Sequence, residues 1–147
     1  MQIAIGSDHA GYSLKEILKV HLKDLGHETS DLGTFSEESV DYPIYAEKVG
    51  IAVSSGSADF GVLVCGTGIG VSIAANKVKG VRAGVVHDTT SARLAREHNN
   101  ANIVCFGARL VGVEVAKDAL ESFLSSNFLG GRHERRIEEI TEMERNG

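Results

Sequence analysis

Residues 62–72, VLVCGTGIGVS, constrain the fold more tightly than any other stretch of this chain. A continuous apolar run ends at Cys65, glycines stand at positions 66, 68 and 70, and a helical pattern follows. An apolar run without alternation reads as a strand buried on both faces, the mark of a parallel sheet with helices on each side. Glycines right after such a strand let backbone N–H groups turn toward a bound group, and the next helix adds the positive end of its dipole. The loop departs from the usual phosphate patterns. No lysine follows as in GxxxxGK[ST], the spacing is GxGxG in place of GxGxxG, and Val71 stands where a Cys-x5-Arg loop needs arginine. It reads as an anion-binding loop with a thiol at its mouth.

The remainder of the chain alternates in the same way. Strands are predicted at 2–5, 27–32, 61–65, 82–86 and 102–106. The first helix carries Leu14, Ile17, Leu18, Leu22 and Leu25 at helical spacing, with Ser13 and Glu16 as a capping box and Gly26 as its stop. Further helices are predicted at 44–53, 71–78 and 90–98, with Asp88 as the cap of the last. Val113, Ala116, Ala119, Leu120, Phe123 and Leu124 form another helical stripe. Residues 132–145 read as a charged, thinly apolar helix that needs another element or another subunit to pack on. This β-α alternation predicts a three-layer α/β/α sandwich, a Rossmann-like α/β fold on a five-stranded parallel sheet with a C-terminal helical tail, in one domain over 1–147. In such folds ligands sit at the carboxyl ends of the strands. That rule brings Asp8-His9, the glycine loop, His87-Asp88 and the segment around Arg109 to one edge.

Composition narrows the function. The net charge is −5, which argues against nucleic acid or an anionic membrane as partner. No apolar run approaches the ~18 residues of a membrane span, and the N-terminus has no secretory pattern. With only two cysteines and no CxxC pair, the reading is a cytoplasmic protein without a disulfide framework. No HxH or HExxH spacing is present, so no catalytic metal is expected.

The residues that carry chemistry are few. Cys65 is either a small hydrophobe at a strand end or, at the mouth of an anion loop, a base or nucleophile. Cys105, between Val104 and Phe106, reads as core packing. Asp8 and His9 follow the first strand, where they either cap the loop or meet a ligand. His98 and Asn99 end the fourth helix, with a dipole cap as the competing role. Arg132 and Arg136, four apart, share a helix face suited to phosphate, unless Glu134, Glu138 and Glu139 pair with them. His21 and His27 lie away from the ligand edge and read as structural.

The stretches IGSDHAGYSLK, DLGT, VDYP, CGTGIGVSIAANK, SARLAREHNNAN, FGAR and GGRHERR, in that order, resemble the ribose/galactose isomerase family over essentially the whole chain. The resemblance implies an aldose–ketose isomerase of a small phosphorylated sugar, needing neither metal nor cofactor. Ribose 5-phosphate and ribulose 5-phosphate are the first expectation; a six-carbon sugar phosphate, such as allose 6-phosphate or galactose 6-phosphate, is the alternative. A non-catalytic sugar-phosphate module on the same fold is a further one. It implies a homodimer or homotetramer with active sites at the subunit interface. By the same resemblance Cys65 is the base. Some family members use a glutamate in this loop instead, but positions 70 and 71 here are Gly and Val. Thr67 relays a proton, and Asp8 and His98 open the sugar ring, His98 from the neighbouring subunit. Gly66, Gly68, Ile69 and Gly70 hold the oxyanion and Asn99 the sugar. His9, Arg109, Arg132 and Arg136 hold the phosphate, with His133 and Arg135 as weaker candidates.

Overall fold

A computed structural model describes all residues from 1 to 147. The elements run β1 (Gln2–Ser7), α1 (Tyr12–Asp24), β2 (Glu28–Asp31), α2 (Tyr42–Ser54), β3 (Phe60–Cys65), α3 (Ile69–Ala75), β4 (Ala83–Val85), α4 (Thr89–Glu97), β5 (Ile103–Gly107), α5 (Val113–Ser125) and α6 (Arg132–Asn146). The five strands form one parallel sheet in the order β2-β1-β3-β5-β4. The chain leaves β1 toward one side of the sheet and β3 toward the other. The crevice between their carboxyl ends is therefore the switch point at which such folds bind ligands.

The strand pleat divides the core in two. Ile3, Ile5, Val62, Val64, Val104 and Phe106 pack with Leu14, Leu18 and Leu22 of α1, Ala92 of α4, and Ala116, Leu120 and Phe123 of α5. Ala4, Leu63, Cys65, Ile103 and Cys105 point the other way, onto Ala46, Val49 and Val53 of α2 and Val71 and Ala75 of α3. Each fully buried aliphatic side chain contributes about 1.5–3 kcal/mol, so an unbroken apolar β3 is what a sheet covered on both faces requires. No helix is long and apolar enough to cross a membrane.

The strands and α5 form where the apolar patterns predict them, and Asp88 caps α4 in a true capping box. Its carboxylate accepts from Ser91 N–H at 2.7 Å while Ser91 Oγ accepts from Asp88 N–H at 3.3 Å. The capping box predicted at Ser13 and Glu16 does not form. α1 starts at Tyr12 with Gly11 as its cap residue, because a Cβ at position 11 would lie 2.3 Å from the Val64 carbonyl oxygen. Ser13 instead donates to Glu37, and Glu16 pairs with Lys15 and Lys19. α3 starts at Ile69, two residues earlier than predicted, right after Gly68 at φ +79. Ile69 and Gly70 therefore belong to the first helical turn, whose N–H groups have no partner inside the helix.

The tail helix α6 is thinly attached, as its pattern predicts. Ile137 is its one buried residue, and Met143 is 71% exposed. It lies near the amino ends of the strands, held by Glu144, which accepts from Gly80 N–H at 2.9 Å.

Candidate active site

The carboxyl edge of the sheet collects three loops, and backbone hydrogen bonds lock them together. Asp8 N–H reaches the Val64 carbonyl at 3.3 Å, Ala108 N–H the Cys65 carbonyl at 2.8 Å, and Arg109 N–H the Gly66 carbonyl at 3.0 Å. Glycine is required where the loops cross, since a Cβ at Gly107 would stand 2.6 Å from the Thr67 carbonyl.

Cys65 ends β3, only 5% exposed, and its sulfur accepts the Gly68 N–H at 3.2 Å. Burial pushes the second thiol, Cys105, far up, leaving it a packing residue. Thr67 Oγ1 accepts from Ile69 N–H at 3.2 Å, which orients the hydroxyl beside Cys65. Asp8 is buried, with one carboxylate oxygen accepting the Gly11 N–H at 3.0 Å and the other making no hydrogen bond within the chain. His9 Nδ1 accepts the Val40 N–H at 3.1 Å, so the neutral ring carries its proton on Nε2, free for a ligand. The Arg109 guanidinium lies over Gly66, where a Cβ would come within 3.1 Å of Nη1.

Asp8, His9, Cys65, Gly66, Thr67, Gly68, Ile69, Gly70 and Arg109 thus gather in one crevice. The remaining candidates do not. α4 starts at the carboxyl edge and its 9 residues carry the chain back about 13 Å. His98 and Asn99 therefore sit at the opposite edge, beside the start of β5. The amino end of α6 is beside them. Leu129 N–H bonds to the Glu97 carbonyl at 3.1 Å, and the rings of His98 and His133 stack at 4.2 Å. Arg132, Arg135 and Arg136 belong to that second group. None of these three arginines, nor Arg109, has a carboxylate within ion-pair distance. A cleft lined by Arg82, Asn99, Ile140 and Met143 opens at this edge, away from Cys65.

Two side chains near the crevice lie inside the quoted motifs, Tyr42 in VDYP and Lys15 in IGSDHAGYSLK, but were not among the candidate site residues. Tyr42 packs its ring on Gly70, where a Cβ would fall 2.6 Å from the ring carbon Cζ. The Tyr-Pro start of α2 was the available signal. Lys15 is fully buried, with Nζ at 2.7 Å from both oxygens of Asp31. Asp31 also accepts Gly33 N–H at 3.0 Å, and Gly33 and Thr34 pair with Ser7 beside Asp8. Burial alone would raise the Asp31 carboxyl, but hydrogen bonds from Lys15, Lys19 and Gly33 outweigh it and hold it below the ordinary range.

Comparison with known proteins gives one answer. The family model for ribose/galactose isomerase matches residues 3–140. Ribose-5-phosphate isomerase B of Escherichia coli K12 is 48% identical, covering 97% of this chain and 96% of that protein. Clostridium thermocellum ribose-5-phosphate isomerase B superposes with a TM-score of 0.98 at 50% identity over 99% of both chains. The Mycoplasma genitalium ribose-5-phosphate isomerase B, solved with bound ribulose-5-phosphate, gives 0.95 at 44% identity over 99% of this chain and 97% of that one. With the glycine loop, its thiol and the sheet order all in keeping, the chain belongs to the ribose/galactose isomerase family.

Proposed function

We propose that this chain interconverts ribose 5-phosphate and ribulose 5-phosphate as a B-type isomerase, with no metal taking part. The observation that carries this reading is the Cys65 thiol with the Gly68 N–H on its sulfur at 3.2 Å, at the mouth of the glycine loop. Identity near half with ribose-5-phosphate isomerases B over whole chains supports the five-carbon substrate.

The chemistry needs a base adjoining an anion hole, because a C2 proton is acidic only if the charge it leaves on O1 is stabilised. In the open-chain aldose, Cys65 thiolate takes the C2 proton, a C1–C2 double bond forms, and O1 becomes the oxyanion. N–H groups from Gly66 to Gly70 hold that charge; one such donor is typically worth about 3 kcal/mol in the transition state. Thr67 relays the O2 proton to O1. The Cys65 thiol then returns its proton to C1 as the C2 carbonyl forms. Before this, Asp8 and His98 open the furanose, one taking the proton from the O1 hydroxyl and the other giving one to the ring oxygen. Asn99 holds the sugar hydroxyls. His9, Arg109, Arg132 and Arg136 clamp the phosphate.

One chain cannot complete this site, since His98, Asn99, Arg132 and Arg136 lie at the far edge of its sheet. The reading therefore includes a homodimer, or a tetramer of such pairs, in which each crevice receives these residues from a second copy.

Proton NMR of the purified protein in D2O with EDTA tests the proposal, with ribose 5-phosphate, allose 6-phosphate and galactose 6-phosphate supplied separately. Ketose formation from ribose 5-phosphate, at least about tenfold faster than from either hexose phosphate, is expected. Faster turnover of a six-carbon sugar would overturn the substrate assignment. No turnover of any of the three by folded protein would overturn the enzymatic one.

A further inference from the structure

At the opposite edge of the sheet His98, given the ring opening above, is stacked on His133, whose ring the chemistry above does not use. The His98 and His133 imidazoles lie 4.2 Å apart, centroid to centroid, with only 13° between their planes. His98 is the C-cap residue of α4, so its backbone is fixed by its N–H on the Leu94 carbonyl at 2.9 Å. Its ring takes part in no hydrogen bond of this chain, and neither does that of His133. An imidazole so held is otherwise free about its last torsion, whose energy wells are broad. The approach of His133 is built into the chain. Leu129 N–H is tied to the Glu97 carbonyl at 3.1 Å, and Gly130 and Gly131 follow at φ +67 and +57, a backbone open to glycine. These two turns bring the first turn of α6 over the end of α4.

We infer that His133 is a positioning residue for the isomerisation: its ring, stacked on His98, sets the plane of that imidazole as it projects into the crevice of a second copy. This rests on the ring-opening role given to His98. A general acid or base must direct its nitrogen within hydrogen-bond reach of one oxygen, and a ring free to rotate does so only part of the time. Stacking fixes the plane while leaving both His98 nitrogens unused. Desolvation, together with His98, Arg132 and Arg136, pushes the His133 ring below its ordinary range.

The substrate pair itself separates positioning from general damage. Ribose 5-phosphate closes a furanose through O4 and must be opened. Ribulose 5-phosphate cannot close a five-membered ring on C2, because its O5 carries the phosphate. Two reactions are therefore measured: turnover of ribose 5-phosphate, and deuterium uptake from D2O at C1 of ribulose 5-phosphate, which needs no ring opening. His133→Ala is expected to lower kcat for ribose 5-phosphate about tenfold and leave C1 exchange within about twofold of the parent. His133→Phe, which stacks but neither titrates nor hydrogen-bonds, is expected to restore ribose 5-phosphate turnover to within about threefold. His133 is half-buried on a thinly packed helix, so both variants should fold. A Phe variant as impaired as the Ala variant, or a loss shared equally by both reactions, would overturn the inference. His98→Ala run alongside separates the two claims. If His98→Ala spares ribose 5-phosphate turnover, the ring-opening role falls and the inference with it. If His98→Ala shows the selective loss and His133→Ala does not, the stack alone is overturned.

Discussion

A single methyl group at position 107 would collide with the backbone of the glycine loop at Thr67. The added carbon would sit 2.6 Å from both the carbonyl carbon and oxygen of Thr67, where no flexible side chain can yield. Gly107→Ala is therefore expected to shift Thr67 and Gly68 away from Cys65 and reduce kcat at least about tenfold, since displacements near 1 Å cost that much or more. Overpacking should also destabilise the fold by roughly 1–3 kcal/mol. Steady-state kinetics with thermal unfolding checks this, and unchanged kcat would mean that the crossing of the two loops does not set the geometry of Thr67. At this scale the sequence was informative where chemistry and backbone demand coincide. Cys65, the glycines after it and Asp8-His9 stand out because a thiol, a run of glycines and a carboxylate at strand ends are unusual together. Tyr42 and Lys15 fell inside quoted motifs but carried no role there. An aromatic beside a proline and a lysine on an amphipathic helix look ordinary until the fold sets one on Gly70 and buries the other against Asp31.

Among the elements, α1 and β2 are joined by charge. Lys15, with a fully buried side chain, and Lys19 both reach Asp31, at 2.7 and 2.8 Å. The ammonium of Lys15 also lies 5.1 Å from the Phe35 ring and 5.4 Å from the Tyr12 ring. Breaking a buried pair by removing one partner strands the other, so Asp31→Asn should cost about 3–5 kcal/mol at neutral pH. The direction with pH follows from the lowered Asp31 carboxyl. Its stabilisation is present above the ordinary carboxylate value near 4 and is lost as pH falls through the depressed native value. The gap between parent and Asp31→Asn in urea unfolding should therefore be wide at pH 7 and shrink below about pH 3. A gap that stays constant would show that Asp31 acts by shape and not by charge. The element pattern was legible from the apolar pattern for β1, β3, β4, β5 and α5, whereas β2, ETSD, carries no apolar residue of its own. Helix starts were less so, for a physical reason. α1 begins where Gly11 must pass within contact of Val64, and α3 where Gly68 turns left-handed, and both are tertiary demands. The Ser13–Glu16 spacing mimics a cap, yet Ser13 donates across space to Glu37 and Glu16 pairs with Lys15 and Lys19 on its own helix.

In the whole molecule the two groups of candidate residues lie at opposite edges of one sheet. The loops at the carboxyl edge hold a thiol, a carboxylate and backbone donors. The other edge holds His98, Asn99 and three arginines without carboxylate partners. Local patterns could suggest that the tail needs a partner, because its apolar stripe is thin. That α4 carries His98 away from Cys65 follows from the parallel alternation of β4, α4 and β5, which the apolar pattern already implied. Subunit complementation tests whether a second copy completes the sugar-phosphate isomerase site proposed for this chain. Cys65→Ala and His98→Ala chains, each inactive alone as a homo-oligomer, would be co-expressed with different affinity tags and the mixed species isolated. A mixed pair has one crevice with both changes and one with neither, so the account predicts about half the parental turnover of ribose 5-phosphate per pair. A mixed species as inactive as either parent variant, though folded and paired, would contradict it and put Cys65 and His98 in the same chain's site or outside the reaction.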